Sequence, residues 1–336
     1  MISQTHPLDL PELRSKISNS LGRNDLASFA RVCRDWNNYF TPPLYKSVVL
    51  SKHGPSMESL ERNKHHVRRL VIQSSVYEKP PSTSARDKVV SRVMANSTMT
   101  ELDLNNSSIG PNVAQVLSEA LKTNSTLTTL NLRGNNIGPN GAQALSEALR
   151  TNSTLITLNL AGNKIGPNGA QALSEALKIN LTLTTLKLGW NFIGLDGVQA
   201  LSEALKINAV LTTLSLHDNS IRYDGAQALS EALKISSTLT TLDLSLNLIR
   251  DDGAQALSEA LKINSTLTTL NLRGNYIGSD GAQALSEALK TNSTLTTLEL
   301  SSNLIGDGEA QALSEALKTT STLTITDVTI TDVPFR

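Results

Sequence analysis

The sequence predicts an α/β solenoid: a curved stack with an inner parallel sheet and outer helices, preceded by a small all-α unit. Three observations carry this. From Met99 to Thr322 one pattern is written eight times at a period of 28 residues, so Leu102, Leu130, Leu158, Leu186, Leu214, Leu242, Leu270 and Leu298 share one register without insertions. Within each copy the apolar spacing changes from two to three and four, as expected for a strand followed by an amphipathic helix. Residues 8 to 48 break the rhythm, holding Phe29, Trp36, Tyr39, Phe40 and Tyr45 in a chain with only 4 Phe, 2 Trp and 5 Tyr.

The elements of one copy follow from its residues. In Leu127-Thr128-Thr129-Leu130-Asn131-Leu132 the alternation of Leu130 and Leu132 predicts a short strand with one buried face. Asn135-x-Ile137-Gly138 closes the turn behind it. From Gly141 to Leu149, Ala142, Leu145, Ala148 and Leu149 form an apolar helical stripe, with Gln143, Ser146, Glu147 and Arg150 read as the outer face. Glu147 and Arg150, three apart, can pair weakly there. No copy can bury its apolar face alone, so stability must come from stacking neighbours. Parallel strands sit about 4.8 Å apart whereas packed helices need about 8 to 10 Å, and the mismatch forces a curve with the strands inside.

Four segments result: a helical domain at 1–50, a linker and diverged capping repeat at 51–98, the eight repeats at 99–322, and an edge strand with tail at 323–336. The capping repeat is read from Val67-x-x-Leu70-x-Ile72, which repeats the strand spacing, and from Val89 and Val93 at helix positions, with Pro80 to Ser84 lengthening its loop. Leu323 to Val328 starts a strand that no helix follows, so its edge needs a short protected strand or a partner. In the amino-terminal segment Leu13, Ile17 and Leu21 recur at four, and Leu26, Phe29, Ala30 and Cys33 at three and four. Asp25 is placed to cap that second run.

Net charge is zero, yet residues 1–98 carry 15 Lys and Arg against 8 Asp and Glu, and residues 99–336 carry 15 against 22. An acidic array argues against nucleic acid as the partner of the repeats, and the basic run Arg62 to Arg69 reads as solvated surface. Cys33 is the single cysteine, which excludes an internal disulfide and suits a reducing compartment. No secretory h-region and no apolar run of membrane-spanning length occurs, so the expectation is a cytoplasmic or nuclear protein with no membrane partner. The Asn-Ser-Thr triplets at Asn96, Asn124, Asn152, Asn264 and Asn292 are accordingly read as loop residues between helix and strand, not as glycan acceptors.

Leu-x-x-Leu-x-Leu-x-x-Asn-x-Ile with a full helix and a 28-residue period resembles the ribonuclease-inhibitor type of leucine-rich repeat. That resemblance implies that Asn135, Asn163, Asn191, Asn219, Asn247, Asn275 and Asn303 bond backbone groups of adjacent turns; Ser107 replaces the asparagine in the first copy. Leu10-Pro11-Glu12-Leu13, Ile17, Leu21, Asp25-Leu26, Phe29-Ala30, Val32-Cys33-Arg34, Trp36 and Leu44-Tyr45-Lys46-Ser47-Val48 resemble an F-box, from which the segment departs at Arg14 and Ser15. The F-box resemblance implies docking on a Skp-type adaptor of a cullin-RING ubiquitin ligase through Leu10, Pro11, Ile17, Leu26, Val32 and Trp36. The repeats would then hold an unidentified protein substrate.

The copies serve as their own alignment, and their differences concentrate at outward strand and rim positions. One strand column runs Asp103, Asn131, Asn159, Lys187, Ser215, Asp243, Asn271, Glu299, and the next Asn105, Arg133, Ala161, Gly189, His217, Ser245, Arg273, Ser301. The rim columns carry Trp190, Asp218 and Leu246, then Phe192, Leu248 and Tyr276. Trp190, Phe192, His217, Tyr223, Leu246 and Leu248 compose an aromatic and aliphatic patch of hot-spot character, with Lys187, Asp218, Arg273 and Tyr276 around it.

No phosphate loop, zinc-protease helix, Cys-x-x-Cys or nucleophile elbow is present, and the carboxylates run as single rows instead of converging pairs. His53 and the pair His65-His66 lack a ligand-spaced partner. The expectation is a protein without catalysis, cofactor or metal that recruits substrates to a ubiquitin ligase. Two rivals stand beside it: a plain interaction scaffold or inhibitor, and a GTPase activator resembling the Ran GTPase-activating proteins, which share this repeat type.

Overall fold

The computed structural model describes residues 47–50, 64–72, 98–319 and 324–326. Among these described residues eleven strands form one parallel sheet in strict chain order: β1 Ser47–Leu50, β2 Arg69–Ile72, β3 Glu101–Asp103, β4 Thr129–Asn131, β5 Thr157–Asn159, β6 Thr185–Lys187, β7 Thr213–Ser215, β8 Thr241–Asp243, β9 Thr269–Asn271, β10 Thr297–Glu299 and β11 Thr324–Thr326. Between them, from β3 onward, lie helices α1 Pro111–Thr123, α2 Gly138–Leu149, α3 Gly166–Leu177, α4 Gly194–Leu205, α5 Tyr223–Leu233, α6 Arg250–Leu261, α7 Ser279–Leu289 and α8 Asp307–Thr319. This is the curved solenoid that the periodicity predicts, with strands within and helices without.

The register is one repeat per strand, Leu186 pairing with Leu158 on one side and Leu214 on the other. The sheet also runs past the regular array: β2 carries Leu70, paired with Leu102, and β1 pairs with β2 from Ser47 to Leu50. Ser47 and Val48, in the stretch that resembles an F-box, therefore lie on a strand. The core is a continuous apolar layer in which each repeat buries the same set. In the fourth copy that set is Leu183, Leu186, Leu188, Ile193, Val198, Leu201 and Leu205.

Close approach sets one glycine column. A methyl group on Gly197 would meet Ile193 Cγ2 at 2.4 Å and Ala170 Cβ at 3.0 Å, so this helix start packs against its neighbour with no room for a side chain. The helix serines correct the sequence reading. Ser146, placed there on the outer face, is buried, as are Ser174 and Ser202, because the column lies between neighbouring helices. The seam accommodates a small hydroxyl in more than one way: Ser146 donates to Gln143 O at 2.6 Å and Ser174 to Ala170 O at 2.8 Å within their own turns, Ser230 donates to Ala256 O of the next copy, and the Ser202 hydroxyl is buried without a partner.

Two asparagine ladders lock the ends of the strands. Asn191 Nδ2 lies within bonding reach of Leu160 O, Leu188 O and Gly189 O, while its Oδ1 accepts from Asn163 N and Ile165 N. That is the role the family resemblance implies. The second ladder, at the opposite end, is legible only in the structure. Asn180 Nδ2 donates to Leu149 O at 2.8 Å and Asn152 O at 3.2 Å, and its Oδ1 accepts from Thr182 N and Leu183 N. Asn152, Asn208, Asn264 and Asn292 repeat the arrangement and are buried. The Asn-Ser-Thr triplets at Asn152, Asn264 and Asn292, read as simple loop, are thus structural hydrogen-bond posts. At Ser236 the ladder is interrupted, and the serine hydroxyl is buried without a partner.

Candidate functional site

The rim at the carboxyl ends of the strands is built from left-handed backbone. Asn106, Gly134, Gly162, Trp190, Asp218, Leu246, Gly274 and Ser302 all have φ between 50° and 68°. Glycine adopts this conformation without steric cost, and three copies use it; a tryptophan or leucine is forced there by the surrounding turn. Phe192 at φ 54° and Tyr276 at φ 59° repeat the situation two residues on. All four side chains are exposed, and Leu248 is half-buried.

Around Trp190 the side chains converge. In the neighbouring strand column the small residues Ala161 and Gly189 stand between Arg133 and His217. Into that gap Arg133 reaches from two copies away, its Cζ 5.5 Å from the indole centroid. His217 closes the other side, its ring edge-on to Trp190 with centroids 5.8 Å apart. The imidazole lies directly over Gly189, where an added methyl would fall 1.9 Å from its Cε1. Sequence reading named Trp190 and His217 but not Arg133, whose part depends on how far its side chain extends across the intervening copy.

His217 is held from below by polar groups. Ser215 Oγ donates to Asp243 Oδ2 at 2.9 Å and lies 2.9 Å from His217 Nδ1. With the hydroxyl proton directed at the carboxylate, the Ser215 oxygen is placed to accept from Nδ1–H. Asp243 Oδ1 accepts from Ser245 N and Oγ. Serine, histidine and aspartate are thus together, but in the wrong order for nucleophilic catalysis, which needs the histidine between the other two. The arrangement orients an imidazole for contact.

The remaining predicted residues divide by location. Lys187, Asp218 and Arg273 are exposed on the strand ends and rim. Tyr223 starts α5 and lines a separate outer cleft of about 360 Å³ with Gln227, Lys234, Asp252 and Glu259, so it belongs to the helical layer and not to the Trp190 cluster. Leu10, Pro11, Ile17, Leu26, Val32 and Trp36 lie outside the described residues. The rings of His65 and His66 lie with centroids 3.9 Å apart, tilted by 51°, in a short turn. Burial, then His65 and Arg68, hold the His66 imidazole below the ordinary histidine range. Among the described residues no group of His, Cys, Asp or Glu could hold a metal ion, and no helix is long and apolar enough to cross a membrane.

Comparison with known proteins places the repeats. The family model described as Leucine Rich repeat matches residues 123–146, 151–174, 180–202, 208–230, 236–258, 264–286 and 291–314. No curated protein matches the chain. Among solved structures, Leiomodin-1 Actin-Binding Site 2 is similar at 25% identity and a TM-score of 0.39, covering 45% of this chain and 87% of that one. The Caenorhabditis elegans tropomodulin C-terminal domain is similar at 16% identity and 0.38, covering 45% of this chain and 92% of that one. Seven of the repeats in this protein are leucine-rich repeats, and the array they build is a leucine-rich-repeat solenoid.

Proposed function

We propose that the protein is a non-catalytic interaction scaffold that captures a protein partner on the rim and inner wall of its middle repeats, around Trp190 and Leu246. One observation carries the reading. At a left-handed position where other copies place Gly134, Gly162 and Gly274, the middle copies place a tryptophan and a leucine, both exposed. Each costs on the order of 1 kcal/mol in backbone strain, and strain kept at an exposed apolar side chain is the mark of a contact residue, not of a core residue. Arg133 and His217 hold the indole between them, which lowers the entropy lost when a partner covers it.

A finer reading joins this capture to ubiquitin transfer: the amino-terminal segment docks on a Skp-type adaptor, and the repeats bring the target near the ligase. Its support is the sequence resemblance of Leu10 to Val48 to an F-box. The gain there is effective concentration, with no chemistry in the chain itself. Affinity purification of the full chain, of a Trp190→Gly and Leu246→Gly variant, and of a chain lacking residues 1–50 tests both levels. The scaffold reading expects a partner that survives the deletion and disappears from the rim variant. The ligase reading expects a Skp-type adaptor that does the reverse.

A further inference from the structure

The edge opposite the Trp190 rim, where each helix ends and the next strand begins, carries its own apolar row. At that position the eight copies read Thr123, Thr151, Ile179, Ile207, Ile235, Ile263, Thr291, Thr319. The four isoleucines are between 48% and 64% exposed, and Leu181 beside the first is 73% exposed. They are firmly held. Each follows the lysine that caps its helix, with its amide bonded back into the last turn, as from Ile207 N to Ala204 O at 3.1 Å. Beside three of them Asn180, Asn208 and Asn264 tie the same turn to the preceding copy.

Two properties of the row identify what it fits. The first is charge. Each isoleucine is preceded by a lysine, and Lys178, Lys206, Lys234 and Lys262 are each paired with Glu175, Glu203, Glu231 and Glu259 at 2.6 to 2.7 Å. Beside the four isoleucines, therefore, each lysine charge is already met by a glutamate, which disfavours a strongly charged partner or an anionic surface there. The second is symmetry. The column is a palindrome, Thr-Thr-Ile-Ile-Ile-Ile-Thr-Thr, centred between Ile207 and Ile235. A two-fold interface needs a self-complementary patch, and this row maps onto itself, isoleucine onto isoleucine and threonine onto threonine.

We propose that two copies of this chain associate edge to edge and antiparallel through this row, Ile207 meeting the partner's Ile235 and Ile179 meeting the partner's Ile263. The exposed row with Leu181 presents on the order of 500 Å² of apolar surface per copy, at the upper end of what a monomer leaves bare. Pairing two such rows removes about 1,000 Å² from water before the flanking lysine stems are counted, which reaches the lower range of specific interfaces. Both Trp190 rims then point away from the contact, so that a dimer of the proposed scaffold would present two capture sites to a multivalent partner.

Sedimentation equilibrium of the full chain without partner tests the association, so its failure is independent of the capture reading. A concentration-dependent dimer is expected. A variant carrying Ile179→Thr, Ile207→Thr, Ile235→Thr and Ile263→Thr should melt like the parent, because other copies already hold threonine there, and should dimerise at least about 100-fold more weakly. The Trp190→Gly variant should dimerise normally. In a Cys33→Ser background, Ile207→Cys mixed with Ile235→Cys should form a disulfide between copies. A chain that stays monomeric, a four-threonine variant that dimerises unchanged, or Ile207→Cys that joins itself and not Ile235→Cys would overturn the proposal; a dimer held instead through residues 1–50 would appear as the second of these.

Discussion

Arg133 extends across one whole copy to lie over the ring of Trp190, its guanidinium carbon 5.5 Å from the centroid. The contact exists because the copy between them contributes Ala161 and Gly162, which leave the surface low enough for an arginine to pass. Cation and indole together convert two mobile side chains into one fixed feature of the rim.

Replacing Trp190 and Leu246 with glycine removes the side chains and relieves the left-handed backbone at once. Thermal unfolding should stay within about 3 °C of the parent, since lost surface contacts and relieved strain offset each other. Partner capture should be abolished. An intact pull-down with this variant would remove the rim from consideration.

Gly189→Ala places a methyl group where the His217 ring lies, 1.9 Å from Cε1. The ring must swing away, taking with it the edge contact to Trp190. We expect a loss of partner affinity close to that of His217→Ala, about tenfold, with little change in stability because the displaced imidazole is half-exposed and can turn toward solvent. Titration calorimetry with the captured partner measures both.

Asn191→Ala would leave Asn163 N and Ile165 N without their acceptor and remove a shared donor from three carbonyls. These groups are buried, so the cost should be about 3 kcal/mol. Urea unfolding of the full chain is the measurement, and a change below about 1 kcal/mol would deny the ladder its structural role.

Ser236→Asn restores the interrupted second ladder. The serine hydroxyl is buried with no partner, whereas asparagine at this position in other copies donates to the leucine carbonyl of the preceding helix, as Asn208 does to Leu177 O at 2.7 Å. Stability should rise by about 1 kcal/mol, as for other repairs toward a repeat consensus. The same denaturation curve reads the gain.

The periodic part of the molecule was open to reading because burial depends on spacing. Leu186 and Leu188 had to face inward once their neighbours were leucines at the same phase, and the strand, turn and helix limits follow from where that phase changes. Polar positions obeyed no such rule. Ser146 looked like an outer residue from its helical angle, yet the helices of adjacent copies close over it. Asn152 looked like loop, and the structure buries it as a donor to Leu121 O. A hydroxyl or amide can be buried wherever a carbonyl stands within reach, and that is decided by the neighbouring copy.

What the sequence alone determined about this protein is the solenoid: its period, its register, its core and the strand and rim columns along which copies differ. Only the tertiary structure decided that Trp190 and Leu246 stand in left-handed backbone, that Arg133 belongs with an indole two copies on, that Tyr223 faces another surface, and that Ser236 breaks a ladder. The reason is physical. Hydrophobic burial is non-directional and is written in periodicity, whereas backbone handedness, hydrogen bonds and ring contacts are directional and depend on atoms that only stacking brings together.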